Sequence, residues 1–227
     1  MKKKRGKKYL EAIKLVDKKA NYNLIDAINL VKKTSISKFD ATVNLSVNLS
    51  AKIKQLVRCS VILPHGNGKI KKILAITNSQ IIDAKNAGAD FFGGKDLIDK
   101  IVNDNWFDYD VIVVTPDVMA EIGKIGHILG PKGLMPNPKN GTISTDIKKA
   151  INEIKQGKIS FCSDKDNNIN LGFAKSSFDN DKIENNFRAV FSSIIKNRPS
   201  SLKGNYINSV FISTTMGPSI KINTINL

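Results

Sequence analysis

Residues 123–142 constrain the fold of this chain more than any other stretch, because they combine five glycines, three prolines and three lysines. Proline removes backbone donors and glycine favours turns, so the segment cannot form a continuous helix or a central strand. A loop of this length is uncommon inside a compact domain unless it has a function. Lysines on a glycine-rich backbone indicate contact with an anion.

The same segment does not match a nucleotide-binding P-loop. That motif requires four residues between its glycines, then Gly-Lys followed by Ser or Thr. Here Gly130 follows Gly126 too closely, Pro131 precedes Lys132, and Gly133 stands where the hydroxyl is needed. A nucleotide-dependent enzyme that uses an α/β domain therefore remains only as the alternative hypothesis. The other alternative is a rigid loop with solvated lysines.

The charge balance points to polyanionic partners. Lysine and arginine together number 36 against 20 acidic residues, which gives a net charge of +16. Such an excess bears on partners rather than on fold. Only four of these cations are arginines, and lysine suits phosphate contact more than bidentate base recognition. We therefore expect charge that positions a nucleic-acid backbone, with specificity contributed by a few other residues.

Several classes of protein are disfavoured by composition. The two cysteines, Cys59 and Cys162, are far apart in sequence, so we expect neither a disulfide framework nor a metal site. The basic residues 1–8 lack the apolar stretch of an export signal, and no run approaches the length of a membrane span. The sequence predicts a soluble cytoplasmic protein with no membrane contact, cofactor or metal.

The first part of the chain predicts two helices and two strands. Apolar residues recur at helical spacing over 9–16 and 24–31, with Asn23 as a possible cap of the second helix. Residues 42–49 alternate strictly between apolar and polar, which indicates a strand with one buried and one solvated face. A second strand over 57–63 ends in turn residues.

The middle of the chain has a different pattern. Residues 70–77 and 111–115 are apolar runs, typical of strands covered on both faces. Helical patterns follow them, and strand–helix alternation of this kind predicts a parallel sheet. The predicted helices are 79–87, 96–102, 116–125 and 146–156, the last opened by Thr145.

Alternation returns after residue 158. It predicts a hairpin around residues 164–168, a helix over 181–196, and strands over 206–213 and 220–222. The chain therefore resembles an α+β domain that is interrupted by an α/β domain near residues 69–157 and then resumed. Periodicity alone leaves open whether the two outer parts join.

Two local features carry alternative interpretations. Phe39 lies outside the alternation of the following strand, and it is either a core residue or a platform for a base. Residues 214–218 form a turn in which Met216 is either an adaptable apolar tip or a contact to ribose and base edges.

Residues 125–139 resemble the signature of the bacterial large-subunit ribosomal protein L-one family, whose members belong to the mobile stalk beside the exit site. The resemblance covers essentially the whole chain, because further motifs occur in the order of the family. These motifs are residues 37–40, 57–58, 63–66, 87–90, 115–117, 164–165 and 213–218.

The resemblance implies a two-domain fold, α/β and α+β. An RNA-binding α+β domain would be built from residues 1–68 plus 158–227, with a Rossmann-like three-layer α/β domain inserted at 69–157. It also implies a non-catalytic protein of the large ribosomal subunit that binds a junction of ribosomal RNA at the stalk. Release of deacylated tRNA from the exit site and repression of its own operon through mRNA binding are further implied functions.

Specific residues follow from the resemblance as expectations. Secondary contacts to RNA or tRNA fall on Lys132 and Lys139, and hinges between the domains on Gly66, Gly68 and Gly157. The main RNA contacts fall on Lys38, Phe39, Thr42, Asp164, Lys165, Ser213, Thr214, Thr215, Met216 and Gly217.

The chain departs from the family pattern at several positions in the RNA-binding part. Ala41 replaces a usual Glu, Cys162 stands in place of Arg, and Asn170 replaces His, while Ala174 replaces Gly. We expect the lost Arg and His to change RNA affinity and the set of contacts.

Overall fold

The computed structural model describes residues 6–17, 19–50, 56–199, 202 and 204–224. Residues 1–5 of the basic arm lie outside the described residues. The chain divides into two compact units, of which the first comprises Met1–Gly68 with Ile159–Leu227 and the second Lys69–Lys158. Helices and sheets occur in both, so the prediction of a mixed α/β fold is confirmed.

The regular elements are numbered in chain order. The helices are α1 (Lys7–Lys14), α2 (Leu24–Lys33), α3 (Ile81–Asn86), α4 (Lys95–Asp104), α5 (Met119–Lys124), α6 (Gly126–Leu129), α7 (Ile147–Lys155) and α8 (Asn180–Lys196). The strands are β1 (Thr42–Leu49), β2 (Arg58–Ile62), β3 (Ile73–Ile76), β4 (Phe91–Gly93), β5 (Val111–Val114), β6 (Lys158–Cys162), β7 (Asn168–Lys175), β8 (Ile207–Thr214) and β9 (Ile220–Ile222).

The first unit is built on an antiparallel sheet of four strands in the order β7-β1-β8-β9. The strict alternation of β1 buries every second side chain, and Val43, Leu45 and Val47 are wholly inaccessible. These residues share one hydrophobic core with the apolar faces of α2 and α8. The opposite face of the sheet carries the polar residues of β1.

Strands β6 and β7 correct the predicted hairpin. A turn does occur at 164–167, but β6 pairs with β2 in a separate sheet of two strands, whereas β7 pairs with β1. Both strands nevertheless contribute to one core: Phe161 of β6 and Phe173 of β7 are buried in it, and Phe173 lies against Phe187 of α8 with ring centroids 6.1 Å apart.

The second unit is a parallel sheet with helices on both faces. Its strand order is β4-β3-β5, and all four residues of β3 are buried. Leu74 and Ile76 pack with α4 and α5, while Ile73 and Ala75 pack with α3 and α7. The apolar runs of β3 and β5 thus belong to a middle layer, as strands covered on both sides require.

Some element bounds differ from the predictions. Strand β3 begins at Ile73 rather than at residue 70, and Ile70 is fully exposed. The three-residue strand β4 was not predicted, since so short a segment has no measurable period. Helix α7 is capped by Asp146, which accepts a hydrogen bond of 3.0 Å from the Lys149 N–H, and not by Thr145.

The segment 123–142 is irregular but ordered by packing. It contains the short helix α6 and a 3-10 turn at Pro138–Asn140. Leu129 is wholly buried in the core of the second unit. Thr142 fixes the C-terminal end of this segment, because its Oγ1 accepts a hydrogen bond from the Asn137 N–H at 2.7 Å and donates one to the Asn137 carbonyl at 3.0 Å.

A buried asparagine joins α8 to the segment that follows β2. Asn186 is wholly inaccessible, and its side chain donates to the carbonyls of Gly66, at 2.7 Å, and of Phe173, at 3.0 Å. Its Oδ1 accepts from the His65 N–H at 3.1 Å. One side chain thus satisfies three backbone groups on two other segments.

We predict that Asn186→Ala destabilises the first unit by about 3 kcal/mol or more, because three partially or fully buried backbone groups lose their partner. Asn185→Ala is the matched control, since Asn185 is the exposed neighbour on the same helix. Amide hydrogen exchange of β1 measures the effect, because the single tryptophan, Trp106, lies in the second unit. Equal protection in the two variants would contradict the proposed role of Asn186.

Candidate nucleic-acid interface

One end of the four-stranded sheet gathers several of the predicted RNA contacts. Strand β1 begins at Thr42 and the antiparallel β8 ends at Thr214, so the residues before β1 and after β8 emerge together. Thr215 closes this end: its N–H donates to the Thr42 carbonyl at 3.0 Å, and its Oγ1 accepts from the Thr42 N–H at 3.2 Å.

The turn after β8 presents a methionine in an unfavourable backbone conformation. Met216 has φ 70° and is 68% exposed. A non-glycine residue with positive φ is uncommon, and strain of this kind persists only where the surroundings enforce it. The surroundings here are the Thr42–Thr215 closure and a 2.9 Å hydrogen bond from the Gly217 N–H to the Thr214 carbonyl. The apolar side chain of Met216 is therefore held towards solvent.

Gly217 is required by close approach rather than by backbone conformation. A Cβ at this position would lie 2.3 Å from the Thr214 Oγ1. Thr214 itself is only 3% exposed, and its hydroxyl has no hydrogen-bond partner among the described residues. The buried side chain of Thr214 therefore shapes the turn, and the expected RNA contact of this residue stays a prediction.

Phe39 stands on the same sheet end, before β1. It is 59% exposed, so its interpretation as a core residue is wrong. The next residue, Asp40, is fixed to the chain after β7: its carboxylate accepts from Ser176 Oγ at 2.9 Å and from the N–H and Oγ of Ser177 at 3.0 and 2.9 Å. This clamp holds the backbone that presents Phe39 and the exposed Lys38.

The charge of Asp40 is stabilised in the folded protein. Desolvation is the largest single influence and would raise its pKa, but the hydrogen bonds from Ser176 and Ser177 and the nearby Lys175 together outweigh it and lower the pKa. The carboxylate therefore stays ionised at neutral pH and acts only as an acceptor. It orders the loop instead of offering charge to a polyanion.

Asp164 and Lys165 do not join this group. They lie in the turn before β7, and β7 begins opposite the end of β1, with Asn168 paired to Asn48. The seven residue steps of β1 from Thr42 to Leu49 separate this turn from Thr42, which at about 3.4 Å per step is roughly 24 Å. Asp164 also has a structural role, since its Oδ1 accepts from the N–H groups of Asp166 and Asn168 at 3.0 and 2.7 Å.

Uncharged polar side chains on the outer face of the sheet connect the two ends. Ser46 Oγ donates to Asn170 Oδ1 at 2.6 Å. Asn48 Nδ2 donates to Asn168 Oδ1 at 2.7 Å, and Asn208 Nδ2 donates to Asn48 Oδ1 at 3.0 Å. Ser213 pairs with Asn44 on the same face. These amides and hydroxyls retain donors and acceptors that can meet phosphate, ribose or base edges.

Sequence reasoning missed the clamp and the amide ladder. The polar alternation of β1 did predict a solvated face, but the hydrogen-bond partners of that face lie 120 to 160 residues away. Ser176 and Ser177 carry no local signal, because their role depends on the pairing of β7 with β1.

The two other predicted contacts lie in the second unit. The Lys132 ammonium sits 3.5 Å from the centroid of the Phe107 ring, so part of its charge is engaged in a cation–π contact. Lys139 is exposed in the 3-10 turn, where its N–H donates to Asn137 Oδ1 at 2.9 Å. Of the two, Lys139 presents the freer ammonium on its surface.

The described residues show no constellation suited to catalysis. Among them, no group of three or more His, Cys, Asp or Glu could hold a metal ion. Burial, together with Cys162, raises the pKa of Cys59 to about 11, so that thiol is not a ready nucleophile. His127 is exposed, and its Nδ1 lies 3.2 Å from the Lys124 carbonyl. In the part of the chain that the structure describes, no helix is long and apolar enough to cross a membrane.

A sequence model described as the ribosomal protein L1p/L10e family matches residues 31–218. This chain belongs to that family. Its members are structural RNA-binding proteins of the ribosome and not enzymes, so the nucleotide-dependent enzyme is ruled out as the function. The matched range contains both ends of the sheet described above, from Lys38 to Gly217, and all of the second unit.

We predict that Gly217→Ala destabilises the first unit by about 1–3 kcal/mol, because the added methyl group must displace the buried Thr214 side chain. Thr214→Ala removes the obstructing Oγ1, and the remaining atoms of residue 214 would lie 3.4 Å or more from the new Cβ. The double variant should therefore recover most of the loss.

Amide hydrogen exchange of β8 measures the free energy of opening in the two single variants and in the double variant. The coupling energy between the two substitutions isolates the contact between position 217 and the Thr214 side chain. Strict additivity of the two substitutions would mean that crowding against Thr214 is not the reason for glycine at position 217.

Proposed function

We propose that this protein binds a helical junction of large-subunit ribosomal RNA at the mobile stalk, through the end of the sheet that carries Phe39 and Met216. Membership in the family supports binding of ribosomal RNA in the large subunit. The observation that supports this particular site is the exposed Met216, held at positive φ beside the Thr42–Thr215 closure. A strained apolar side chain aimed at solvent indicates a ligand.

The chemistry of the sheet end fits folded RNA. Phe39 and Met216 offer apolar surface for unstacked bases, and Thr215 and Ser213 offer hydroxyls to the 2′-OH groups. Lys38 supplies charge to phosphates without competing for base edges. In this proposal the Asp40 clamp sets the position of Phe39 and makes no contact of its own.

We further propose that the second unit acts in the release of deacylated tRNA from the exit site, with Lys139 and Lys132 as contacts. Gly66, Gly68 and Gly157 would serve as hinges, since they flank the two chain crossings between the units and all have positive φ. Binding to a similar junction in the mRNA of its own operon would make the protein a translational repressor, because one site would then serve both RNAs.

We predict that Met216→Ala weakens binding to the stalk junction about tenfold, while binding to an unstructured RNA of equal length changes little, since base contacts are lost and phosphate contacts are kept. Met135→Ala is the matched control, an exposed methionine in the second unit. Fluorescence anisotropy of labelled RNAs at fixed salt gives both affinities. Equal losses on the two RNAs would refute the proposed site.

The position of Lys165 predicts how far the RNA extends. If the RNA spans both ends of the sheet, Lys38→Gln and Lys165→Gln each reduce the slope of log affinity against log salt by about 0.7–0.9, one phosphate contact each. Lys85→Gln, a change of an exposed lysine in the second unit for which no RNA contact is proposed, is the control. An unchanged slope for Lys165→Gln would confine the RNA to the Met216 end of the sheet.

A further inference from the structure

A groove opens next to the proposed RNA contact, between α1 and the edge of the sheet that is formed by β8 and β9. It has a volume of about 230 Å³. One wall is formed by α1 and Val16, and the other by strands β8 and β9 and the turn between them. The lining residues are Tyr9, Ile13, Val16, Phe211, Pro218, Ser219 and Lys221.

The groove follows from how α1 meets the sheet. Phe211 pairs with Lys221 in the β8–β9 ladder and shares the outer face with Ser46. Residues of α1 therefore line the groove together with the β8–β9 side of a face that remains polar on the β1–β7 side. Tyr9 and Phe211 are both only partly buried. Both aromatic side chains line the groove.

We infer that this groove receives one unpaired nucleobase of the RNA bound at the Met216 turn, an inference that rests on the proposed function. Two aromatic side chains suit a flat ring, since stacking tolerates any base. The volume lies below the roughly 300–1,000 Å³ of pockets for drug-sized ligands, so it suits one ring system. Lys221 stands at the wall to meet the attached phosphate, and no acidic residue lines the groove.

The groove adjoins the proposed RNA contact at Met216, and this position favours a nucleobase of the same RNA as its occupant. Pro218 lines the groove and lies two positions after Met216 in the same turn. A nucleotide next to one that contacts Met216 is therefore close to the groove. The helix that forms the other wall adds Lys7, Lys8 and Lys14 against a single Glu11. The family match, which covers residues 31–218, does not include α1, Ser219 or Lys221.

The first test is substitution of the aromatic wall in the full chain. Tyr9→Ala should weaken binding to the stalk-junction RNA about tenfold, the usual effect of losing one base–aromatic stack. Tyr9→Phe should recover most of that loss, because it restores the ring. Leu10→Ala, a change of the exposed neighbour that does not line the groove, should bind as the wild type does. Anisotropy titration gives the affinities, and circular dichroism verifies that α1 persists.

A second variant approaches from the opposite wall. Ser219→Trp should fill the groove and cause a similar loss, with α1 unchanged. Wild-type affinity in both Tyr9→Ala and Ser219→Trp would overturn the inference. If that affinity is accompanied by altered self-association in sedimentation, the groove belongs to a second copy of the chain, which overturns it equally.

The nucleotide itself is identified with RNAs that carry a single abasic site at each unpaired position. One abasic RNA should bind the wild type about tenfold more weakly and bind Tyr9→Ala with no further loss, as a shared contact requires. Additive losses at every position would refute a base in the groove.

Failure of the groove is distinguishable from failure of the proposed function. If Met216→Ala lowers the preference for stalk RNA while all groove variants bind normally, only the groove is refuted. If the wild type has no preference for stalk RNA, the proposed function itself is refuted.

Discussion

The pairing of β1 with β7 and β8 is the interaction on which the first unit depends. It brings residues 42–49 against two segments that lie some 120 to 170 residues later in the chain. Two long ladders of backbone hydrogen bonds and one shared core offset the entropy of closing so long a loop. Because both partners come from beyond residue 158, the second unit is necessarily an insertion between them.

Antiparallel direction then decides which residues become neighbours. The start of β1 meets the end of β8, so Phe39 and Met216 share one end of the sheet, and the same direction places Lys165 at the other end. The predicted contacts therefore fall into two groups at opposite ends of the sheet instead of one cluster. Between these two ends of the sheet lies its outer face, which carries hydrogen-bonded amide and hydroxyl side chains. Asn170, where the resemblance led us to expect a histidine, belongs to this ladder as a hydrogen-bonded amide.

Local sequence was sufficient where one periodicity dominated. The alternation of 42–49 and the apolar runs of β3 and β5 predicted their burial, because side-chain direction in a strand depends only on position. It was insufficient for β6 and β7, since alternation does not specify a partner and two strands around a turn are usually paired. The cap of α7 was missed by one residue, because Thr145 and Asp146 are both good capping residues.

The sequence by itself determined the mixed fold class, the large positive charge and, through long motifs, the family, because composition, period and order of motifs are properties of the chain. Only the tertiary structure decided that Thr214 is buried, that Met216 is exposed at positive φ, and that Asp40 is held by Ser176 and Ser177. Each of these depends on contacts across strands whose register no local pattern contains. Exposure and strain are therefore properties of the packed sheet, and they are the observations that support our proposal of an RNA contact at one end of it.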